Sequence, residues 1–121
     1  MKLVDMHCDT IYELLRGTNE QTLFQNHLCV DMEGMRRAQT MAQFFACFVD
    51  AKEWADASGR KPRTLSPNDG AVLTGDTWER AYARVLEMLE RLGKEQSDEL
   101  RQVFSFHEME ENRRQHVISA V

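Results

Sequence analysis

The sequence predicts an α/β fold in which parallel strands alternate with helices. Three observations lead to this prediction. A short strand pattern at residues 2–9 runs directly into a helical pattern at residues 10–16. An apolar, aromatic-rich run at residues 41–50 is followed, after an irregular stretch, by a long amphipathic helix pattern. Residues 116–121 form a β-branched apolar run that is typical of a buried strand.

The strand pattern at residues 2–9, KLVDMHCD, opens the chain. The helical pattern that follows ends at Gly17, a residue type that commonly closes helices. Side chains alternate between the two faces of a strand, which gives each predicted face its own residue set. One face carries Val4, Met6 and Cys8, and the other carries Leu3, Asp5, His7 and Asp9.

The next part of the chain is predicted to be a loop, a short helix and a buried strand. Polar residues dominate 18–26 and predict a surface loop. Residues 30–38 predict a turn or one short helix that starts after Asp31. Residues 41–50, MAQFFACFVD, are short, aromatic-rich and followed by a break, which favours a buried strand over a helix.

The long helix is the clearest element of the second half. Residues 51–75 carry many Gly, Pro, Ser and Asn turn signals and predict irregular structure. Asp76 can then cap a helix, with Glu79 in the capping-box position and with Gly93 and Lys94 as the stop. The predicted apolar stripe of this helix consists of Trp78, Tyr82, Val85, Leu89 and Leu92.

The last part of the chain is predicted to end in a strand. Residues 98–103 read as a short helix or an extended link, 104–106 as a short strand, and 108–115 as a polar helical turn. A buried parallel strand at 116–121 needs neighbours at its edges and helices over its faces. A closed (β/α)8 barrel takes about 250 residues. We therefore expect residues 1–121 to be one segment, an incomplete barrel with its first few strand–helix units.

Composition limits the classes of function. The hydrophobic fraction of 42% and the charged fraction of 29% are typical of a globular protein. The net charge of −5, from 15 basic and 20 acidic residues, argues against a nucleic-acid partner, because nucleic-acid-binding proteins normally carry a basic face. No apolar run approaches the roughly 18 residues that span a bilayer, and Met1-Lys2 leads into only two apolar residues before Asp5, unlike a signal peptide. We therefore expect no membrane partner.

The three cysteines, at positions 8, 29 and 47, are odd in number and form no C-x-x-C pair. We expect them to be reduced thiols that behave as small buried hydrophobes, in a cytoplasmic protein.

The strongest chemical signal is the pair His7 and Asp9, two residues apart at the end of the first predicted strand. An imidazole nitrogen and a carboxylate oxygen suit a borderline cation such as Zn²⁺. Asp5 lies on the same predicted face. It could orient His7 from behind the metal site, or simply accept backbone hydrogen bonds. Spacing alone makes a His-x-Asp pair a weak signal, since two residues do not make a site.

Other candidate groups carry less weight. His27, His107 and His116 have no second ligand at a useful spacing, so we assign none of them to a metal. Alternation turns Cys8 away from its two neighbours, which makes it a poor ligand and a poor nucleophile. No glycine-rich phosphate-binding motif and no G-x-S-x-G motif occurs.

The chain resembles the membrane dipeptidase family, the renal dipeptidase-like metallopeptidases. The opening VDMHCDT is similar to the family's D-x-H-x-D-[TL] start. Residues 30–50, VDMEGMRRAQTMAQFFACFVD, resemble the family's D-x-x-R-L-like turn that leads into a G-A-Q-F-F strand. The helix at 78–92 resembles the family's next helix, and HVISAV resembles the strand before its Glu-Gly pair. The resemblance therefore runs from Leu3 to Val121.

The resemblance implies a TIM-type (β/α)8 barrel that hydrolyses dipeptides at two zinc ions bridged by a carboxylate. His7 and Asp9 match the His and Asp that bind one of these ions, and neither is the nucleophile or general base. The bridging glutamate, the two later histidines and the substrate-binding His, Arg and Asp have no match in these residues. We therefore expect no catalytic residue here, an unknown substrate-binding set and an inactive isolated chain. The family also suggests a homodimer.

Two rival functions stay open. Other metal-dependent amidohydrolase barrels begin with a strand-borne histidine motif, usually His-x-His; Asp9 and the strand at 41–50 count against them. The second rival is a non-catalytic barrel fragment. It would pair its exposed strand edges with the remainder of a barrel, a partner or another copy of the chain. The oligomeric state separates this rival from a well-behaved monomer.

Overall fold

The computed structural model describes residues 2–17, 21–49, 63–64, 71–72 and 76–121. It has two compact units, residues 1–47 with 88–121 and residues 48–87. The elements in chain order are β1 (Leu3–Cys8), α1 (Thr10–Arg16), α2 (Met32–Arg37), β2 (Thr40–Phe45), β3 (Arg63–Thr64), β4 (Ala71–Val72), α3 (Asp76–Lys94), β5 (Leu100–Gln102), α4 (Phe106–Gln115) and β6 (Ile118–Ala120).

The first unit is built on a four-stranded parallel sheet in the order β1-β2-β6-β5. The predicted α/β fold with parallel strands is thereby confirmed. The order differs from chain order at one place, because β6 lies between β2 and β5. A barrel in which every strand pairs with the next one along the chain would place β5 beside β2. The parallel sheet is compatible with part of a barrel, and the barrel itself stays a prediction.

The core of this unit lies between the sheet and its helices. Helix α2 packs against β2, and α4 packs against β6. Inside this packing the Asn112 amide donates to the Ser119 hydroxyl at 3.2 Å, which satisfies two buried polar groups. The largest fully buried apolar side chains among the described residues are Ile11, Leu14, Leu23, Met32, Met88 and Leu100.

Helix α2 begins where the sequence predicts a short helix. Asp31 is its N-cap, and its Oδ1 atom accepts a hydrogen bond from the backbone N–H of Gly34 at 2.6 Å. That bond satisfies one of the backbone donors that the first turn of a helix leaves free.

The strand predicted at residues 104–106 is wrong. Ser105 is instead the N-cap of α4: its hydroxyl accepts from the backbone N–H of Glu108 at 3.3 Å. The Glu108 carboxylate in return accepts from the backbone N–H of Phe104 at 2.8 Å. This is a capping box, and the S-x-x-E sequence that signals it is present. The extended alternative for 98–103 is confirmed by β5.

The strand predicted at residues 41–50 is shorter than its apolar run. Strand β2 ends at Phe45, whose N–H donates to the carbonyl of Val121 at 2.9 Å. One further ladder bond follows, from the N–H of Ala46 to the carbonyl of Cys8 at 2.8 Å. Residues 46–49 follow the strand without regular secondary structure.

The predicted long helix is confirmed as α3, but its predicted apolar stripe is not its buried face. Trp78, Tyr82 and Leu89 are exposed, and only Leu92 of the stripe is fully buried. Near its C-terminus the helix buries Met88, Leu92 and the following Glu95. Glu95 accepts a hydrogen bond from the backbone N–H of Leu23, and Arg91 donates to the carbonyl of Gln21, so this end of the helix faces the loop at residues 21–23.

In the second unit the structure describes a short antiparallel ladder between β3 and β4, where Arg63 faces Val72. The turn signals predicted between residues 58 and 70 otherwise lie outside the described residues, as does the side chain of the predicted cap Asp76. Among the described helices, none combines the length and the apolar character that crossing a membrane requires.

Candidate metal site

The candidate site lies at the carboxyl end of β1. His7 is near the end of the strand and Asp9 is the residue before α1. The His7 Nε2 atom lies 3.3 Å from the Asp9 Oδ1 atom, and both side chains are more than half exposed. Cys8, between them, is buried. The structure therefore brings His7 and Asp9 together on the open side of the strand, with the thiol turned away.

The Asp9 carboxylate does not cap the helix that it precedes. Asp9 occupies the N-cap position of α1, yet its side chain makes no capping hydrogen bond. Its backbone, at φ −96° and ψ 14°, is outside the extended region that capping residues normally adopt. Its carboxylate is directed to His7 instead. Asp9 therefore does not cap α1, although aspartate commonly caps a helix from this position.

Asp5 contacts the backbone of His7 rather than its ring. The Asp5 Oδ1 atom accepts a hydrogen bond from the His7 backbone N–H at 3.2 Å. In the sheet, Asp5 is the register partner of Gln43, a buried residue of β2. That Asp5 orients His7 for metal binding stays a prediction. The structure shows that Asp5 contacts His7 through its Oδ1 atom.

His7 and Asp9 fit two ligand positions of a zinc ion. Nitrogen and oxygen ligands lie roughly 2.0–2.2 Å from Zn²⁺, so two of them in a tetrahedral site are about 3.3–3.5 Å apart. The observed 3.3 Å is consistent with that separation. Among the described residues, no group of three or more His, Cys, Asp or Glu side chains is placed to hold one ion. The described part of the chain therefore offers two ligands.

A comparison with protein families gives this pair its context. The family model described as membrane dipeptidase (peptidase family M19) matches residues 1–121. The chain belongs to the membrane dipeptidase family. The resemblance inferred from the motifs is confirmed. No curated protein matches the chain. Peptidase family M19 is a family of metallodipeptidases, so a candidate pair of metal ligands on the first strand agrees with the class of enzyme.

The thiols of this family member do not add a ligand or a nucleophile to the site. Burial raises the pKa of the Cys8 thiol, and burial likewise raises the pKa of Cys47. Both are therefore neutral near pH 7, and a neutral thiol is neither a good ligand nor a good nucleophile. The prediction that all three cysteines are buried is confirmed for Cys8 and wrong for Cys29, which is exposed in the loop before α2, whereas Cys47 is half-buried.

The remaining histidines lie away from the pair. His27 is exposed in the loop before α2, and His107 is the second residue of α4. His116, predicted at the start of a strand, is the left-handed C-cap of α4, with φ 59°, and precedes β6. Each is exposed, and none belongs to a cluster of ligands within the described residues.

A cavity of about 330 Å³ lies at the opposite, amino end of the strands. It carries charged groups, but the arginines there are already paired. Arg36 Nη2 donates to Glu99 Oε1 at 2.6 Å, and Arg113 Nη2 donates to Glu110 Oε2 at 3.0 Å. Amino-end features of such sheets usually serve stability, whereas chemistry occupies the carboxyl end. The cavity therefore does not compete with the pair at the end of β1.

Proposed function

We propose that the chain supplies His7 and Asp9 to the zinc centre of a dipeptide hydrolase built on a TIM-type (β/α)8 barrel. One observation carries the proposal: in a member of the membrane dipeptidase family, the Asp9 carboxylate faces the His7 imidazole at 3.3 Å instead of capping its own helix. The exposed position at the carboxyl end of a parallel strand supports it, because barrel enzymes place their chemistry there.

The two side chains have distinct roles in this proposal. His7 offers an imidazole nitrogen through Nε2, the atom that faces Asp9. Asp9 offers a negative oxygen donor, which offsets part of the charge of the ion. A zinc centre, when bound, lowers the pKa of a water molecule and polarises the substrate carbonyl. Neither His7 nor Asp9 transfers a proton to the dipeptide; they hold the ion in place.

The number of ligands sets the expected activity. A catalytic zinc normally has three protein ligands, and the described residues provide two at one place. We therefore propose that residues 1–121 alone bind zinc weakly and hydrolyse no dipeptide. The remaining ligands would come from polypeptide that completes the barrel, in a cytoplasmic enzyme.

A second candidate function rests on the edge of the sheet. In the part of the chain that the structure describes, β1 pairs with β2 alone, and its apolar side chains Leu3, Val4 and Met6 are exposed. An exposed apolar edge strand is a template for another strand. The remainder of a barrel would cover it, or a second copy would pair with it in a homodimer. Light scattering of the purified chain tests this, because a monomer at high concentration contradicts the dimer.

Metal binding tests the main proposal. Zinc bound by the 121-residue chain is measured by isothermal titration, beside His7→Ala and the control His107→Ala, which removes an exposed histidine from α4. We expect weak binding by the parent and the control, and none by His7→Ala. Circular dichroism checks that all three are folded. Equal binding by His7→Ala and the parent would contradict the proposal.

Activity is tested on a chain that continues past Val121 to the length of a barrel. We expect two zinc ions per chain and dipeptide hydrolysis in the parent, with activity lost and zinc content lowered in His7→Ala. If the folded parent binds no metal and cleaves no dipeptide, the proposed function is wrong, and the chain shares only the fold of its family. Hydrolysis by residues 1–121 alone would contradict the proposed division of the site.

A further inference from the structure

Strand β1 contains a bulge directly before the candidate metal pair. Asp5 pairs with Gln43 of β2, and Cys8 pairs with Phe45. From Asp5 to Cys8 is three residues, whereas from Gln43 to Phe45 is two. One extra residue therefore lies in β1 between these pairs. Such a bulge interrupts the ladder and redirects the side chains beside it.

The bulge leaves the backbone of Met6 and His7 without a register partner in β2. Backbone N–H groups need an acceptor, and within the described residues no second strand flanks β1 to supply one. The Asp5 side chain provides it: Oδ1 accepts the His7 N–H at 3.2 Å. Aspartate commonly closes such a turn onto the N–H two residues later.

We propose that Asp5 is a positioning residue, which through this bond holds the bulge that places His7 beside Asp9. The backbone at position 7 sets the direction of the Cα–Cβ bond of His7, so the hydrogen bond to its N–H limits the directions in which the imidazole can point. The metal part of this inference rests on the proposed function; the effect on the backbone of His7 does not.

Two conservative substitutions distinguish an effect of the hydrogen bond to the His7 N–H from an effect of the Asp5 charge on the imidazole. Asp5→Asn removes the charge but keeps an oxygen acceptor at the same distance from the backbone. Asp5→Glu keeps the charge but moves the acceptor one methylene further along. If Asp5 acts as a local acceptor, Asn preserves the bulge and Glu disturbs it. If Asp5 acts through its charge on the imidazole, the order of the two variants is reversed.

The first measurement is made on the metal-free 121-residue chain. Hydrogen exchange and the amide proton shift of His7 are recorded by NMR for the parent, Asp5→Asn, Asp5→Glu and Asp5→Ala. Asp98→Ala, which removes an exposed carboxylate before β5, is the control. We expect the parent, Asp5→Asn and the control to agree, and His7 exchange to accelerate several-fold in Asp5→Glu and Asp5→Ala.

The second measurement is the zinc dissociation constant of the same proteins. Loss of a group that orients a metal ligand typically weakens binding by 10–100-fold. We expect a weakening of about tenfold or more in Asp5→Glu and Asp5→Ala, and less than about threefold in Asp5→Asn. Unchanged His7 exchange and zinc affinity in Asp5→Ala would overturn the proposal. A weaker Asn variant beside an intact Glu variant would also overturn it, in favour of charge.

The two proposals fail separately in these measurements. Suppose that no protein in the series binds zinc, yet exchange of the His7 N–H is faster in Asp5→Glu and Asp5→Ala and unchanged in Asp5→Asn. The proposed function then fails and the positioning role stands. If zinc binds in every variant with equal affinity, the positioning role fails and the proposed function stands. Should Asp5→Ala not fold, the Asn and Glu variants still give opposite expectations.

Discussion

The carboxylate of Asp9 lies 3.3 Å from the imidazole of His7 and makes no hydrogen bond to the first turn of α1. Two other helices of the same unit use their N-cap side chains, since Asp31 binds the Gly34 N–H and Ser105 binds the Glu108 N–H. An exposed N-cap residue that does not cap contributes little to its helix. Asp9 therefore differs from Asp31 and Ser105 in making no capping bond to its helix.

The first prediction compares Asp9→Ala with Asp31→Ala. Removing a working N-cap costs about 0.5–2 kcal/mol, so Asp31→Ala is expected to lower the free energy of unfolding by that amount. Asp9→Ala is expected to cost less, because no hydrogen bond is lost. Zinc binding should show the opposite order, lost in Asp9→Ala and kept in Asp31→Ala. Urea unfolding and zinc titration of both variants measure the two effects.

A loss of stability in Asp9→Ala equal to that in Asp31→Ala would identify Asp9 as structural. Ser105→Ala serves as a second reference, because it removes the observed cap of α4 far along the chain from the metal pair.

The second prediction concerns Glu95, whose side chain is 5% exposed. Its carboxylate accepts from the backbone N–H of Leu23 at 2.9 Å and from Arg91 Nε at 2.8 Å. Arg91 also donates to the carbonyl of Gln21 at 2.5 Å. Together the two side chains fasten the loop after α1 to the C-terminal end of α3.

Glu95→Ala leaves Arg91 and the Leu23 N–H without their partner. Breaking a buried ion pair by removing one partner costs about 3–5 kcal/mol, so the free energy of unfolding should fall by that order. The matched control is Glu90→Ala, because Glu90 forms an exposed pair with Lys94 on the same helix and exposed pairs contribute little. Denaturant unfolding measures both.

The Arg91→Ala and Glu95→Ala double variant completes a thermodynamic cycle. Its loss of stability should be clearly smaller than the sum of the two single losses, because either substitution alone strands a charge. Additive losses would mean that the two side chains act independently and that the observed contact is energetically silent.

Local sequence signals predicted the elements whose formation depends on near neighbours. Helix α1, helix α2 with its cap at Asp31, and helix α3 follow from capping residues and from 3.6-residue periodicity, which act within a few residues. The S-x-x-E signature at Ser105 was equally local. The strand predicted at 104–106 conflicts with this signature, and the aromatic residues at 104 and 106 are exposed.

The features that escaped prediction depend on contacts between distant residues. The buried face of α3 is set by Glu95 and a loop 72 residues earlier in the chain, so the apolar stripe alone pointed to the wrong face. The end of β2 is set by the neighbours β1 and β6. The position of β6 between β2 and β5 has no local signal either.

In the candidate site, too, some features could be predicted from neighbouring residues, and others depend on contacts with distant residues. Alternation along a strand predicted that His7 and Asp9 share one face and that Cys8 lies on the other, and in the structure the two side chains are 3.3 Å apart while Cys8 is buried. The bulge between Asp5 and Cys8 was not predictable, because it exists only relative to the register of β2. The acceptor role of the Asp5 carboxylate toward the His7 N–H therefore became visible only in the structure.

The final prediction concerns how the free energy of unfolding changes at acid pH. It rests on the ion pair between Arg36 of α2 and Glu99, the residue before β5. The Arg36 guanidinium donates to Glu99 Oε1 at 2.6 Å, and this hydrogen bond lowers the pKa of the Glu99 carboxyl below its ordinary value of 4.5. A carboxyl whose pKa is lower in the folded state adds stability above its unfolded pKa. That stability is lost as the pH falls through the folded pKa.

The free energy of unfolding is therefore expected to be level between about pH 5 and pH 7 for this pair and to decline below pH 4.5. Glu99→Gln should be less stable than the parent at pH 7, and the difference should shrink as the pH falls toward 2, where the parent carboxyl is also neutral. Added salt should reduce the difference at pH 7, because both side chains are exposed. Urea unfolding of both proteins across this range makes the comparison. A difference that stays constant with pH would mean that the pair stabilises the fold through packing and not through the charge of Glu99.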